Sequence, residues 1–452
     1  MAVTEFRQLV GEYLQSGAML RLQRPVSQQY EAAALLKKSR GELPLYFEHV
    51  NGVSCPMVAG LGGTRQLIAH SMGIAPEEIV PRLAGAIAAP LPVQTVQNAP
   101  VQQNVVTSPF SINQYLPVLT HYEKDAGPFI ISGMMVAKNI DGSKTYTSIR
   151  RMQYLGGNKT NLLVTSLEMK EQLAHFAAAQ KPMDIAVMFG LVPAVVLASQ
   201  ISTHTYNANK LEVAGALLGS PLEVAACKTV DLQVVANAEF VLEGRVTPWL
   251  TSTEGPFGEM CSYYGRVLQI PQVEYTALTW RSNPIYQNFF PSGSEEKLPM
   301  AIAREVTLLA TLRQTVPQTK QVHITLGGAG RLHAVVQICK TTEADGRQAA
   351  LAAFASDKDL KHVVVVDEDV DIFNMEQVEW AIATRMQADR DLFVVGGAMG
   401  SPLEPSHLMA GTSAKMGIDA TCPLNDSNFI TTHIPGEENI HLEDYIAASG
   451  NT

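Results

Sequence analysis

Thr253-Glu254-Gly255-Pro256-Phe257-Gly258-Glu259-Met260 sets two carboxylates five residues apart across a Gly-Pro-Phe-Gly turn. Glycine and proline confine such a turn to a narrow set of backbone paths, so both acids can be aimed at one point. An apolar and aromatic flank follows, with Met260, Cys261, Tyr263 and Tyr264. Two carboxyls held together in such surroundings cannot both ionise easily, and an acid/base pair results. On spacing alone, a surface loop with two solvated glutamates is the alternative.

Upstream, Ala238-Glu239-Phe240-Val241-Leu242-Glu243-Gly244 reads as a half-alternating strand, and Thr147-Ser148-Ile149-Arg150-Arg151-Met152 lies further upstream. Together with the Glu254–Glu259 turn these stretches closely resemble the UbiD-type decarboxylase family, and the resemblance runs over nearly the whole chain. It implies a catalytic group of one arginine and two glutamates, here Arg150, Glu254 and Glu259, working with prenylated FMN. Arg150 facing Glu254 would hold that carboxylate ionised, while Glu259, lacking its own cation, would keep a raised pKa and shuttle protons.

Size and composition agree with such an enzyme. A chain of 452 residues is long enough for two or three domains. Its 46% hydrophobic and 17% charged content is that of a globular protein. A net charge of −10 without any basic block argues against a nucleic-acid partner. Cys55, Cys227, Cys261, Cys339 and Cys422 are scattered, with no CxxC pair, which fits a reduced cytoplasm better than a disulfide framework or a zinc site. Residues 1–19 are amphipathic rather than a secretory signal. The longest apolar runs, such as 187–199, are too short and interrupted for a membrane span.

Taken in order, residues 4–24 have helical spacing, with Phe6, Leu9, Val10, Tyr13 and Leu14 recurring on one face. Strands are expected at 45–50 and 57–59, and a helix at 64–72. Gly60-x-Gly62-Gly63 lacks the full dinucleotide fingerprint and reads as a tight turn. Residues 86–117 read as a linker, and 130–138 with 144–152 as a hairpin about Asn139–Gly142. Several short strands between 183 and 281 suggest a β-barrel. Strands at 321–325, 332–340 and 362–366 alternate with helices at 346–355 and 375–386. Asp367-Glu368-Asp369-Val370-Asp371 is either a helix-capping, solvated run or a cation site. The resulting class is α/β multidomain: an α/β portion at 1–105, a split barrel of the flavin-reductase kind at 106–310 and an α/β domain with an oligomerisation tail at 311–452.

The resemblance also implies a cofactor shell of Thr145, Ser148, Ile149, Arg150, Arg151, Met152, Lys210 and Lys415, and polar substrate contacts from Glu296, Arg304 and Arg331. Family members carry Asn five residues before the catalytic arginine, where this chain has Thr145, and an acid where it has Lys210. Either Glu168 and Glu212 rebuild the family's Mn²⁺ and K⁺ site, or Lys210 neutralises the flavin phosphate itself. Where relatives have Glu-His, this chain has Glu295-Glu296. The expected activity is reversible, non-oxidative decarboxylation of an aromatic, heteroaromatic or α,β-unsaturated acid by a cytoplasmic homodimer or homohexamer, with a flavin prenyltransferase as cofactor source. A flavin oxidoreductase on the same barrel, and a silent flavin-binding relative or carboxylase subunit, are the rivals.

Overall fold

The computed structural model describes residues 2–407, 411–436, 439–441 and 445. The strand ending in the first glutamate, Phe240–Glu254, pairs antiparallel with Leu268–Trp280, and these two long strands are the backbone of a nine-stranded sheet. Its order runs Phe129–Ile130, Met152–Gly156, Lys159–Asn161, Leu268–Trp280, Phe240–Glu254, Met183–Phe189, Met134–Lys138 and Thr145–Ile149, with Asn104–Thr107 also on Leu268–Trp280. Thr145–Ile149 closes one end of that order, and Met152–Gly156 stands beside the other end. Only Arg150 and Arg151 separate these strands in the chain. So short a connection reaches roughly 10 Å, which forces the sheet to curl into a half-barrel. The two arginines therefore sit at its seam.

The fold is mixed α/β and multidomain. Before the barrel, Leu20–Leu22, Leu45–Phe47 and Met57–Ala59 form a small sheet that Tyr286–Gln287 completes from far along the chain. The helix expected at 4–24 is shorter, Phe6–Ser16, because Gly17 takes φ +75° as its C-cap and frees Leu20–Leu22 to pair. Residues 86–117 are no simple linker: Gln94–Thr95 pairs with Glu223–Ala226, and Asn104–Thr107 joins the barrel. The boundary expected between 105 and 106 thus falls inside a strand. That between 310 and 311 falls inside the helix Ser294–Thr315.

This long helix feeds two cores at once. Leu298, Ile302, Ala303 and Val306 pack with the barrel side, while Ala301, Leu308 and Leu312 pack under the C-terminal sheet. That sheet has the order Thr319–Ile324, His333–Ile338, His362–Asp367, Thr412–Asp419, Leu392–Met399. Val363, Val364, Val365 and Val366 are all buried, as a strand covered on both faces requires. The last two strands of that order have weak alternation and were not expected. The acidic run after His362–Asp367 is not simply solvated: Asp367 and Asp369 clasp Arg385 at 3.0 and 2.6 Å. The end of the expected tail, 446–452, lies outside the described residues. No described helix is long and apolar enough to cross a membrane.

Candidate active site

The turn after Phe240–Glu254 is fixed by its neighbours rather than by its own side chains. Gly255 adopts φ +88° and donates its N–H to Gln153 Oε1 at 3.1 Å. Pro256 O accepts from Ala126 N–H at 2.9 Å, and Asp125 Oδ1 accepts from Gly258 N–H at 2.9 Å. Phe257 O accepts from Gly265 N–H, and Glu259 N–H donates to Tyr263 O, both at 2.8 Å. Gly258 passes so close to Tyr122 that a Cβ there would lie 2.2 Å from the ring. Burial raises the Asp125 pKa, against the pull of three backbone N–H groups, from Gly258, Tyr122 and His121.

Both glutamates meet on Arg151. Its Nε and Nη2 donate to Glu254 Oε1 and Oε2 at 2.8 and 3.1 Å, and its Nη1 donates to Glu259 Oε1 at 2.5 Å. The guanidinium lies 4.8 Å from the Phe257 ring centroid. Burial opposes the Arg151 charge, but Glu259 and Glu254 together outweigh it and raise its pKa. Two expectations need correcting here. Arg151, not Arg150, is the partner of Glu254, and Glu259 does have a cation of its own. Successive residues of an extended chain point opposite ways, so of two adjacent arginines only one can face the acids. The acids are held unequally. Glu254 is gripped through two nitrogens with 1% of its side chain exposed; Glu259 is gripped through one nitrogen with 17% exposed.

A cavity opens beside this array, walled by Ile131, Ile149, Val196, Phe257, Phe289 and Met300, with Gln200 and three acids, Glu259, Glu295 and Glu296, as its polar groups besides Arg151. Burial pushes both Glu295 and Glu296 up to about 7. Glu295 accepts from the N–H groups of Gly60 and Gly62, which gives the Gly60–Gly63 turn its purpose. Glu296 accepts from Ser292 N–H at 2.7 Å and feels Glu259, Lys297 and Arg331. Arg304 does not reach the cavity: Asp357 and Asp359 hold it at 2.5 and 2.8 Å. Arg331 stands just behind the wall, 3.8 Å from Met300 Sδ and 3.4 Å from Asp359, and its buried Nε has no acceptor among the described residues.

The remaining expected residues fall in three places. Arg150 turns toward Thr165 Oγ1 and Ser166 Oγ, at 3.3 and 3.4 Å. Lys210 is buried and donates to Ser199 O at 2.7 Å. Desolvation pulls Lys210 down to about 7, with the Arg150 charge acting the same way and Glu168 opposing. Burial likewise lowers Arg150 to about 10. Glu168 bonds Lys144, Glu212 lies two residues on from Lys210 in the helix Lys210–Leu218, and no three His, Cys, Asp or Glu side chains among the described residues gather as a metal site needs. Thr145 and Ser148 stay half-buried on the end strand, and counting five back from Arg151 gives Tyr146. Met152 is core, its sulfur accepting from Tyr275 OH at 3.2 Å. Lys415 lies away from the cavity as well, its ammonium bound to Lys358 O at 2.9 Å and to Leu360 O inside the C-terminal domain.

Two supporting residues escaped the sequence reading. Gln153, two positions beyond Arg151, shares its strand face, and that alternation could have marked it. Asp125 carries no comparable signal.

Comparison with known proteins agrees with this geometry. Models of the 3-octaprenyl-4-hydroxybenzoate carboxy-lyase (UbiD) family match residues 13–87 for the N-terminal domain, 94–294 for the Rift-related domain and 297–420 for the C-terminal domain. An anhydromevalonate phosphate decarboxylase of Methanosarcina mazei is 35% identical, covering 96% of this chain and all of that one. A gallate decarboxylase of Lactiplantibacillus plantarum is 31% identical, covering 92% and 89%. The UbiD-class enzyme HmfF of Pelotomaculum thermopropionicum, solved with FMN, superposes with a TM-score of 0.95 at 41% identity, covering 98% and 100%. An evolved dimeric form of it, solved with prenylated FMN, gives 0.90 at 39%, with the same coverage.

Proposed function

The chain belongs to the UbiD family of carboxy-lyases, and from that premise we propose that it is a prenylated-FMN-dependent decarboxylase of an aromatic, heteroaromatic or α,β-unsaturated acid. The observation that carries this reading is Arg151 bridging Glu254 and Glu259 at the wall of an apolar cavity. The apolar walls suit a flat ring system, and the FMN and prenylated-FMN complexes of HmfF support the cofactor. Ile131, Ile149, Val196, Phe257 and Phe289 would hold the ring, and a flavin prenyltransferase would supply it. When bound, prenylated FMN supplies the electron sink that no side chain offers.

The chain's own residues divide the other tasks. Arg151 grips Glu254 through two nitrogens and fixes it in place, while Glu259, held by one nitrogen, is placed to move a proton at its other oxygen. The carbon that loses CO₂ must be reprotonated, and Glu259 is the group placed to do it. Apolar walls exclude water, which keeps protonation at that carboxyl. Glu259→Gln should lower turnover by about a hundredfold or more while flavin content stays near wild type. Retention of most of the decarboxylation rate would show that the proton comes from elsewhere.

At the far end of the cavity, a substrate with a hydrogen-bond acceptor is favoured. Glu296 lines the cavity and keeps its proton up to about pH 7, and Arg331, whose buried Nε has no acceptor among the described residues, stands just behind the wall. Glu296 is a donor in the cavity, and Arg331 backs it. Arg304, bound to two aspartates, serves to hold this corner together.

A further inference from the structure

Lys210 is a buried cation and Arg150 a partly buried one, and neither forms an ion pair among the described residues. Lys210 is 8% exposed and donates to Ser199 O. Among the described residues Arg150 has two long contacts, to the Thr165 and Ser166 hydroxyls, and its buried Nε has no acceptor. The Arg150 charge also reaches Lys210 and weakens its hold on its proton. Burying cations without an anion is costly, so the arrangement is incomplete as it stands. Ser166 also begins the helix Leu167–Ala178 without a side-chain cap, leaving first-turn N–H groups on the same side.

Their position relative to the cavity is informative. Ile149 and Gln200 line it, and their chain neighbours Arg150 and Ser199 carry the cation pair. A single elongated ligand with a ring at one end and an anion at the other would occupy both.

We propose that Arg150 and Lys210 bind the phosphate monoester of the flavin directly, in place of a bridging divalent cation. The proposal rests on the flavin reading above. A phosphate monoester carries about two negative charges, which two cations balance. A divalent ion fits this donor set poorly. Lys210 places a positive charge where a bridging cation would need an acid, Glu168 is engaged by Lys144, and no three-ligand cluster forms among the described residues. Arg150 thereby leaves the catalytic role and takes a binding one.

The test compares FMN with riboflavin, which lacks the phosphate, by fluorescence titration of the full apo chain in EDTA. The wild type should bind FMN at least tenfold more tightly than riboflavin without metal. Lys210→Gln and Arg150→Gln should each remove most of that preference while riboflavin affinity stays within about twofold. A preference that appears only on adding Mn²⁺, or that survives Lys210→Gln, overturns the proposal. Should either variant fail to fold, the wild-type comparison with and without Mn²⁺ still decides. Equal binding of both flavins overturns the phosphate site and leaves the flavin reading standing; binding of neither overturns both.

Discussion

Glu296 carries a proton at a pH where an exposed glutamate has lost it. Burial is the main cause, Glu259 pushes the same way, and Ser292 N–H, Lys297 and Arg331 pull back without winning. The folded pKa is about 7 against an ordinary 4.5. Between these values the folded state binds a proton that the unfolded chain does not, so stability falls as pH rises through that window. Below about 4.5 both states are protonated, and the cost vanishes. Melting curves from pH 4.5 to 7 should therefore slope downward, and Glu296→Gln should flatten the slope, Glu295 retaining its own share. If the amide leaves the slope unchanged, Glu296 is not a buried acid. The same proton serves specificity. For an acid bearing a second acceptor group, Arg331→Leu should raise KM about tenfold, the scale of one lost charge-assisted bond, with little effect on an acid lacking that group. Much of this chemistry was readable from residue types, including the paired glutamates and the Glu295-Glu296 departure. Which of Arg150 and Arg151 faces the acids was not. That choice is a one-residue register question, and register is set by strand pairing across the barrel seam.

At the scale of elements, the catalytic turn behaves as a part clamped from three sides. Gln153, Asp125 and Ala126 hold its backbone, and the Tyr122 ring fills the space over Gly258. Tyr122 cannot retreat freely, because its hydroxyl donates to Pro291 O at 2.8 Å. Gly258→Ala should thus displace the turn, costing about 1–3 kcal/mol of stability as an overpacked site does and lowering kcat at least tenfold. Gly11→Ala, where an added Cβ meets nothing within 4 Å, is the control and should leave kcat unchanged. Equal kcat in both variants would show that the turn is not rigidly placed. Strands that read as continuous apolar runs, such as Met57–Ala59 and His362–Asp367, were legible locally. The C-terminal pair Leu392–Met399 and Thr412–Asp419 was not, because glycine interrupts the first and neither shows clean alternation.

The whole molecule is organised about the helix Ser294–Thr315, which supplies Glu295 and Glu296 to the cavity and joins the barrel core to the C-terminal core. Among the described residues its C-terminal sheet ends in an edge strand. Leu392–Met399 bonds Thr412–Asp419 and no other strand in that sheet, and its Val394 and Met399 are 63% and 66% exposed. Further along, Ile430 and Ile434 are 79% and 66% exposed. Monomers seldom leave so much apolar side chain in water, and a bare edge strand is a template for pairing with another chain. A second copy that paired with this edge would cover Val394 and Met399. A self-complementary contact of that kind closes as a two-fold dimer. The expected outcome is a homo-oligomer by light scattering at micromolar concentration. Val394→Lys, which puts a charge on the edge without touching the cavity, should reduce the measured mass toward that of one chain and leave flavin binding intact. A wild type that scatters as a monomer would sink the idea, as would a Val394→Lys variant of unchanged mass.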